Sequence, residues 1–211
     1  MQFPVNLNLA GRRCLLVGAG RIGLRKARQL VACGADVTVV APDVVDGFEE
    51  LGVTIVRRAW RVDDLAGIRL VITATGDTDV DQQVFDASEE RGIWVNSADD
   101  PDRCSFTLPA VVRRGPVQVT VSTGGASPAL ASWLRSRLDD LLGPEFADVA
   151  HALAELRAEI HSDGRSTEDT DWQPIVSKLV AERVPTRCPA LVGVGAAGTT
   201  STSALRPLVT P

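Results

Sequence analysis

Apolar residues in the first half of the chain fall into short runs, separated by segments of helical periodicity. The runs are rich in β-branched residues, which is typical of buried strands. They span residues 14–17, 37–40, 54–57, 70–74 and 93–96. Between them, residues 21–33 and 77–91 space their apolar positions three and four apart, and a glycine follows each segment. This alternation predicts an α/β fold of Rossmann type, a parallel sheet with helices on both faces.

The pattern changes after residue 100. Two alternating segments, 106–112 and 117–122, flank a Gly-Pro pair that predicts a hairpin turn. Ser127 and Pro128 then stand where the cap and first residue of a helix are expected. Helices are predicted over 129–142, 145–161 and 172–182. The predicted domains are a dinucleotide-binding domain over 1–100, a small α+β region over 101–143, a helical region over 144–185 and a flexible tail over 186–211.

The most informative motif is Gly18-Ala-Gly20-Arg21-Ile22-Gly23, which follows the first strand and opens the first helix. Gly18 and Gly20 would allow a tight turn and let backbone N–H groups approach a pyrophosphate, and Gly23 would let the helix lie close to the sheet. The backbone of Arg21 and Ile22 would face a pyrophosphate at the helix N-terminus. In this strand–turn–helix–strand context the motif predicts dinucleotide binding, and the alternative is a glycine-rich turn without a ligand.

The residues that follow the strands are expected to line one crevice, because ligands of such sheets bind beyond the carboxyl ends of the strands. At the second strand, Asp43 would reach ribose hydroxyls, or Pro42 would simply pack on the adenosine. Thr75, after a later strand, would lie beside a ribose. Because no arginine follows the second strand to hold a 2′-phosphate, NAD is favoured over NADP.

Composition argues against several classes of protein. The net charge of −5 argues against a general nucleic-acid binder, and no apolar run approaches the ~20 residues that cross a bilayer. The first residues lack the features of a signal peptide, and the four cysteines are scattered, which favours a reduced, cytoplasmic protein. The two histidines, His151 and His161, lie ten residues apart in one predicted helix, so no metal site is predicted.

With these elements placed, the chain resembles the precorrin-2 dehydrogenase family, which includes the N-terminal module of sirohaem synthase. The resemblance covers residues 3 to about 143 in order. The matching residues are Phe3-Pro-Val, Leu9-Ala-Gly-Arg, Val17-Gly-Ala-Gly20, Arg25-Lys-Ala27, Ala74-Thr75, Asn96 with Asp99, Ser105-Phe106 with Pro109, and Val121-Ser-Thr-Gly-Gly-Ala-Ser-Pro128. The last stretch is the most specific to the family.

The resemblance implies an enzyme that oxidises precorrin-2 to sirohydrochlorin with NAD⁺ in sirohaem biosynthesis. Some members of the family also insert Fe²⁺. It further implies a homodimer in which the segment after Pro101 is exchanged or packed between subunits. Two alternatives stay open, a non-catalytic NAD(H)-sensing module and a reductase for another small substrate, because one dinucleotide fold hosts many chemistries.

The resemblance also suggests roles for particular residues. Asp99, just after a predicted strand, matches a functionally important aspartate and would serve as general base; the alternative is a turn-capping aspartate. Arginines suit the carboxylates of a tetrapyrrole, although a solvated basic face is the favoured interpretation of each arginine taken singly. The residues proposed to bind substrate are Asn96, Arg113, Arg114, Thr123, Gly124, Gly125 and Ser127.

Overall fold

The structure is a computed structural model that describes residues 2–185 and divides between Leu108 and Pro109 into two units. The flexible tail predicted over 186–211 lies outside the described residues. Each unit has its own sheet. None of the helices within 2–185 is both long enough and apolar enough to span a bilayer.

The first unit is built on a five-stranded parallel sheet. Its elements are β1 (Arg13–Ala19), α1 (Arg21–Ala32), β2 (Asp36–Val44), β3 (Thr54–Val56), β4 (Leu70–Thr73), α2 (Thr78–Glu89) and β5 (Trp94–Ser97). The strand order is β3-β2-β1-β4-β5, so the direction of winding reverses between β1 and β4. A ligand crevice is expected at such a switch point. The predicted fold class is confirmed.

Helices cover both faces of this sheet because the central strands are apolar on both sides. Leu16 of β1 packs in one buried cluster with Ala27 and Leu30 of α1. Its neighbour Leu15 points to the opposite face, where it packs in a cluster with Val84 of α2. Successive side chains of a strand alternate between faces, so a run of consecutive apolar residues is what a doubly covered strand requires.

The second unit pairs an antiparallel hairpin with three helices. Its elements are β6 (Ala110–Arg114), β7 (Val117–Val121), α3 (Pro128–Leu141), α4 (Glu145–Ser162) and α5 (Trp172–Arg183). Gly115 makes the turn at a φ of 55°. Ser127 caps α3, as expected, since its Oγ accepts the Leu130 N–H at 3.2 Å.

The strand predicted over 106–112 is displaced in the structure. The ladder with β7 begins only at Ala110. Phe106 packs instead against the core of the first unit, and the Ser105 Oγ accepts a hydrogen bond from the Val95 N–H at 2.8 Å. The apolar alternation through 106–112 therefore joins Phe106, which belongs to the core of the first unit, to the first residues of β6. The alternation of apolar residues does not show where one ends and the other begins.

A side-chain pair fixes the loop after β3. The Arg58 guanidinium donates to both carboxylate oxygens of Asp64, at 2.8 and 2.6 Å. Asp64 also accepts the Arg61 N–H at 2.8 Å. These contacts lower the pKa of Asp64 below its usual value, with the Arg58 hydrogen bonds as the largest cause.

We expect Asp64→Asn to destabilise the first unit at pH 7 and to lose that effect in acid. A carboxyl with a depressed pKa in the folded state adds stability above its unfolded pKa of about 3.9, and loses it as the pH falls through the folded value. Urea unfolding at pH 7 and at decreasing pH to below 3.5 measures the difference from wild type, which we expect to shrink once the pH falls below about 3.9. The exposed neighbour gives the control Asp63→Asn, and a difference that stays constant with pH would contradict the assignment.

Candidate functional site

A cavity of about 480 Å³ opens at the carboxyl ends of β1, β2 and β4. It lies where the winding of the sheet reverses. Its walls are largely apolar, with Val17, Val40 and Trp60 among them. Of the residues predicted to bind a cofactor, it gathers Gly18, Gly20, Pro42, Asp43 and Thr75. The loop at 96–100 was expected in the same crevice but does not line this cavity.

Gly18 and Gly23 allow the backbone to pack more closely than any side chain would permit. Gly18 has a φ of +97°, and a Cβ there would lie 2.4 Å from the carbonyl oxygen of Ala74. A Cβ on Gly23 would lie 2.4 Å from the carbonyl oxygen of Gly18. The two glycines thus bring β1, the start of α1 and the end of β4 together, as the motif predicted for Gly23.

Of the two roles expected for Gly20, the geometry supports the open approach to the helix start and not the need for a glycine in the turn. Its φ is −78°, which any residue adopts, so the turn does not require a glycine there. A Cβ on Gly20 would meet no atom within 4 Å. The absence of a side chain keeps the space in front of the α1 N-terminus clear.

The start of α1 fits the pyrophosphate of a dinucleotide. No side chain caps this helix, so the N–H groups of its first turn are left to an external partner. Helix N-termini attract anions through these N–H groups and the helix dipole. Arg21 and Ile22 follow Gly20 and are exposed, and their predicted backbone contacts to the pyrophosphate stay a prediction.

The end of β2 supplies the polar group on the opposite wall. The strand continues beyond the predicted end at residue 40, through Pro42 and Asp43 to Val44. Asp43 is exposed, and its carboxylate makes no hydrogen bond or ion pair within the described part of the chain. No lysine or arginine of residues 2–185 lines the cavity. The arrangement suits ribose hydroxyls and disfavours a 2′-phosphate.

Asp81 is a buried residue that the sequence analysis missed. Its side chain accepts a hydrogen bond from the Thr75 Oγ at 2.7 Å and one from the Ser97 Oγ at 3.4 Å. The signal was present in the sequence, because Asp81 shares the buried face of α2 with Val84 and Ser88. Only a fold that places the ends of β4 and β5 side by side shows what it contacts.

The two adjacent aspartates after β5 differ in their surroundings. Asp100 accepts the Asp102 N–H at 3.2 Å and pairs with the Arg103 guanidinium. Asp99 is exposed and makes no hydrogen bond or ion pair among residues 2–185. It also has a φ of +66°, which is uncommon outside glycine. The structure therefore leaves the Asp99 carboxylate available and gives Asp100 the turn-capping role.

Two polar residues in the surroundings of Asp99 are Asn96, whose amide is used by the fold, and Lys26, whose charge interacts with that of Asp99. Asn96 is 6% exposed, and its amide donates to the Phe106 carbonyl at 2.9 Å and to the Cys104 Sγ at 3.2 Å. Burial lowers the pKa of the Lys26 ammonium, Arg25 adds to that effect, and the charges of Asp99 and Cys104 oppose it. The role of Asn96 in substrate binding stays a prediction, while its amide visibly fixes the chain after β5.

The loop before α3 is organised by side-chain hydrogen bonds. The Thr123 Oγ accepts the Ser127 N–H at 3.0 Å and lies 3.1 Å from the Ser127 carbonyl. Gly124 and Gly125 have φ values of 63° and 89°. The Ser127 Oγ is already used as the helix cap.

Arg113 and Arg114 differ although they are adjacent. Arg114 donates to the Leu142 carbonyl at 2.6 Å and to the Asp139 carbonyl at 2.8 Å, so its guanidinium braces the hairpin against α3. Arg113 is exposed.

Among the described residues, no group of three or more His, Cys, Asp or Glu side chains could hold a metal ion.

Comparison with known proteins shows which family the chain belongs to. A family model described as "Putative NAD(P)-binding" matches residues 5–110, half of the chain, and includes all the residues that line the cavity. The chain belongs to this NAD(P)-binding family. A second model, described as "Sirohaem biosynthesis protein central", matches residues 114–141. The nicotinamide-dinucleotide cofactor predicted from the sequence is confirmed.

Individual relatives support the resemblance seen in the sequence. The chain is 35% identical over 191 residues to a siroheme synthase of Nitrosococcus oceani, covering 87% of this chain and 41% of the relative. It is 42% identical over 160 residues to a siroheme synthase of Tolumonas auensis, covering 75% and 34%. The chain thus spans about two fifths or less of the length of these curated relatives.

One solved structure matches over both units. "SirC, precorrin-2 dehydrogenase" aligns with a TM-score of 0.69 and 25% identity, covering 86% of this chain and 98% of that one. The resemblance to the precorrin-2 dehydrogenase family is thereby confirmed.

We expect Gly20→Asp to fold normally and to lose NAD binding. A Cβ at this position meets no neighbouring group within 4 Å, so the substitution is tolerated by the fold, but the carboxylate beyond it would stand where the pyrophosphate would lie. Calorimetric titration with NAD⁺ and a thermal melt measure the two effects. Gln29→Asp, which adds the same charge at an exposed position farther along α1, is the control. Normal NAD affinity in Gly20→Asp would contradict the site.

Proposed function

We propose that this chain catalyses the NAD-dependent dehydrogenation of precorrin-2 to sirohydrochlorin, a step of sirohaem biosynthesis. The observation that carries the proposal is the match to a precorrin-2 dehydrogenase structure over nearly its whole length, across both units. The siroheme synthase relatives and the family model over 114–141 support the same substrate class.

The dinucleotide would be held by the residues around the cavity. The N–H groups at the start of α1 would hold the pyrophosphate, with Gly20 leaving space for its approach and Gly18 and Gly23 packing the helix start against the ends of β1 and β4. Asp43 accepts hydrogen bonds from ribose hydroxyls, and the absence of a cation among the lining residues favours NAD over NADP. When bound, NAD⁺ supplies the acceptor for the hydride that leaves the substrate.

Asp99 would take the proton that accompanies that hydride. Its carboxylate has no hydrogen bond or ion pair within residues 2–185 to give up, and its exposure lets it pass the proton on to water. The balance is one hydride to the cofactor and one proton to Asp99, then to solvent. Asp100 is excluded from this role in the proposal because it is tied to Arg103 and to the turn.

The substrate is rich in carboxylates, and the second unit offers groups that would hold them. We assign this role to Arg113, which is exposed, and to the loop of Thr123, Gly124, Gly125 and Ser127 at the start of α3. Arg114 is removed from the substrate-binding set because its guanidinium braces the fold. Asn96 is assigned to holding the loop of Asp99 in place.

The wider assignments follow from the family resemblance. The proposed enzyme is a cytoplasmic homodimer whose dimerisation region spans residues 101–143. Fe²⁺ is proposed as a second substrate. The macrocycle's own nitrogens would hold the metal, and the described residues contain no cluster to bind it first.

The first test is an anaerobic reaction of the purified chain with precorrin-2 and NAD⁺. Absorbance of NADH, together with the spectrum of the tetrapyrrole, follows both products. We expect NADH in a one-to-one ratio with a sirohydrochlorin-like product, and Fe²⁺ can then be added to test chelation. NAD⁺ binding without NADH would favour a sensing module or a reductase of another substrate, and would overturn the proposal.

We expect Asp99→Asn to bind NAD⁺ normally and to lose dehydrogenation by about 100-fold or more, the usual contribution of a general base. Asparagine tolerates the left-handed backbone at this position, so the loop is preserved. The matched control is Asp102→Asn, an exposed carboxylate three residues away. If both variants turn over at the wild-type rate, Asp99 is not the base.

A further inference from the structure

Asp81 is the only charged side chain that is buried within the described part of the chain, with 8% exposure. A buried carboxylate is unfavourable unless hydrogen bonds replace its water. Within residues 2–185, no lysine, arginine or histidine lies within ion-pair distance of Asp81. Its partners are two hydroxyls, Thr75 Oγ and Ser97 Oγ, and the N-terminal turn of α2 adds a favourable dipole.

The two hydroxyls belong to different loops of the site. Thr75 lies in the loop after β4, which lines the dinucleotide cavity. It directly follows Ala74, the residue whose carbonyl closely approaches Gly18. Ser97 is the last residue of β5, two residues before Asp99. One carboxylate therefore joins the loop beside the cofactor to the loop that carries the proposed base.

Within residues 2–185, no other side chain forms a hydrogen bond between these two loops. The β4–β5 ladder ends at the pair Thr73 and Ser97, and one backbone bond follows it, from the Ala98 N–H to the Thr73 carbonyl at 2.9 Å. The Thr75 Oγ also accepts the Asp77 N–H at 3.0 Å. Two acceptors lie within reach of its own proton, and the Asp81 carboxylate at 2.7 Å is nearer than the Asp77 carbonyl at 3.0 Å. Asp77 in turn caps α2, so the loop after β4 is fixed at both of its ends.

We propose that Asp81 is a positioning residue for the reaction, which holds the loop of Thr75 and the loop of Asp99 at a fixed separation. It acts through these loops and touches neither reactant. The inference rests on the proposed function for its effect on turnover, while the junction itself is independent of the substrate. A small misplacement of reacting groups is enough to slow a reaction by orders of magnitude.

The test compares variants that separate hydrogen bonding from charge. Asp81→Ala removes both contacts, and we expect kcat to fall about 10-fold or more with a smaller change in KM. Asp81→Asn removes the charge but can accept from Thr75 and donate to Ser97, and we expect it to restore kcat to within about threefold of wild type. Asp79→Ala is the control, because it removes an exposed acid from the same first turn of α2.

Hydrogen exchange of the full chain provides a readout that does not need the substrate. We expect Asp81→Ala to speed exchange in residues 74–77 and 97–100 together, and Asp79→Ala to leave both unchanged. Faster exchange in one loop only, or equal effects of the two alanine variants on kcat, would overturn the proposal. Wild-type protein that makes no NADH would refute the proposed dehydrogenation, and the exchange data would still decide whether Asp81 joins the loops.

Discussion

The first unit depends on one backbone contact, the approach of Gly18 to Ala74. A Cβ on Gly18 would lie 2.4 Å from the Ala74 carbonyl oxygen, and one on Gly23 would lie equally close to the carbonyl of Gly18. Three backbone segments therefore meet with no side chain between them. This contact sets the start of α1 beside the end of β4, and the cavity exists because those two ends meet at the point where the sheet reverses its winding.

Hydrogen bonds extend that arrangement from the cofactor side toward the proposed base. Thr75 follows Ala74 directly and donates to Asp81, which also contacts Ser97 at the end of β5. Asn96 and Ser105 then tie the chain after β5 back to the strand. The outcome is a loop in which Asp99 is held in an uncommon backbone conformation with its carboxylate left free.

Most of the architecture was predictable because it depends on local patterns. Continuous apolar runs marked the strands, since strands covered on both faces have no polar side. The glycine motif marked the turn, and Ser127 and Pro128 marked the start of α3. The strand predicted over 106–112 was wrong in position, because Phe106 belongs to the core of the first unit although its alternation continues into β6.

The sequence by itself determined the fold class, the dinucleotide motif and the family, since each is written in short spacings and local conformational preferences. Tertiary structure alone decided the use of each polar group. It showed that Gly20 leaves space open and is not needed for the turn, and that Arg114 donates to carbonyls at the end of α3. It also showed that Asp100 pairs with Arg103, while Asp99 makes no hydrogen bond or ion pair within residues 2–185. It also brought the Asp81 side chain into contact with Thr75 after β4 and with Ser97 at the end of β5. These facts depend on which distant residues meet, and no local pattern encodes that.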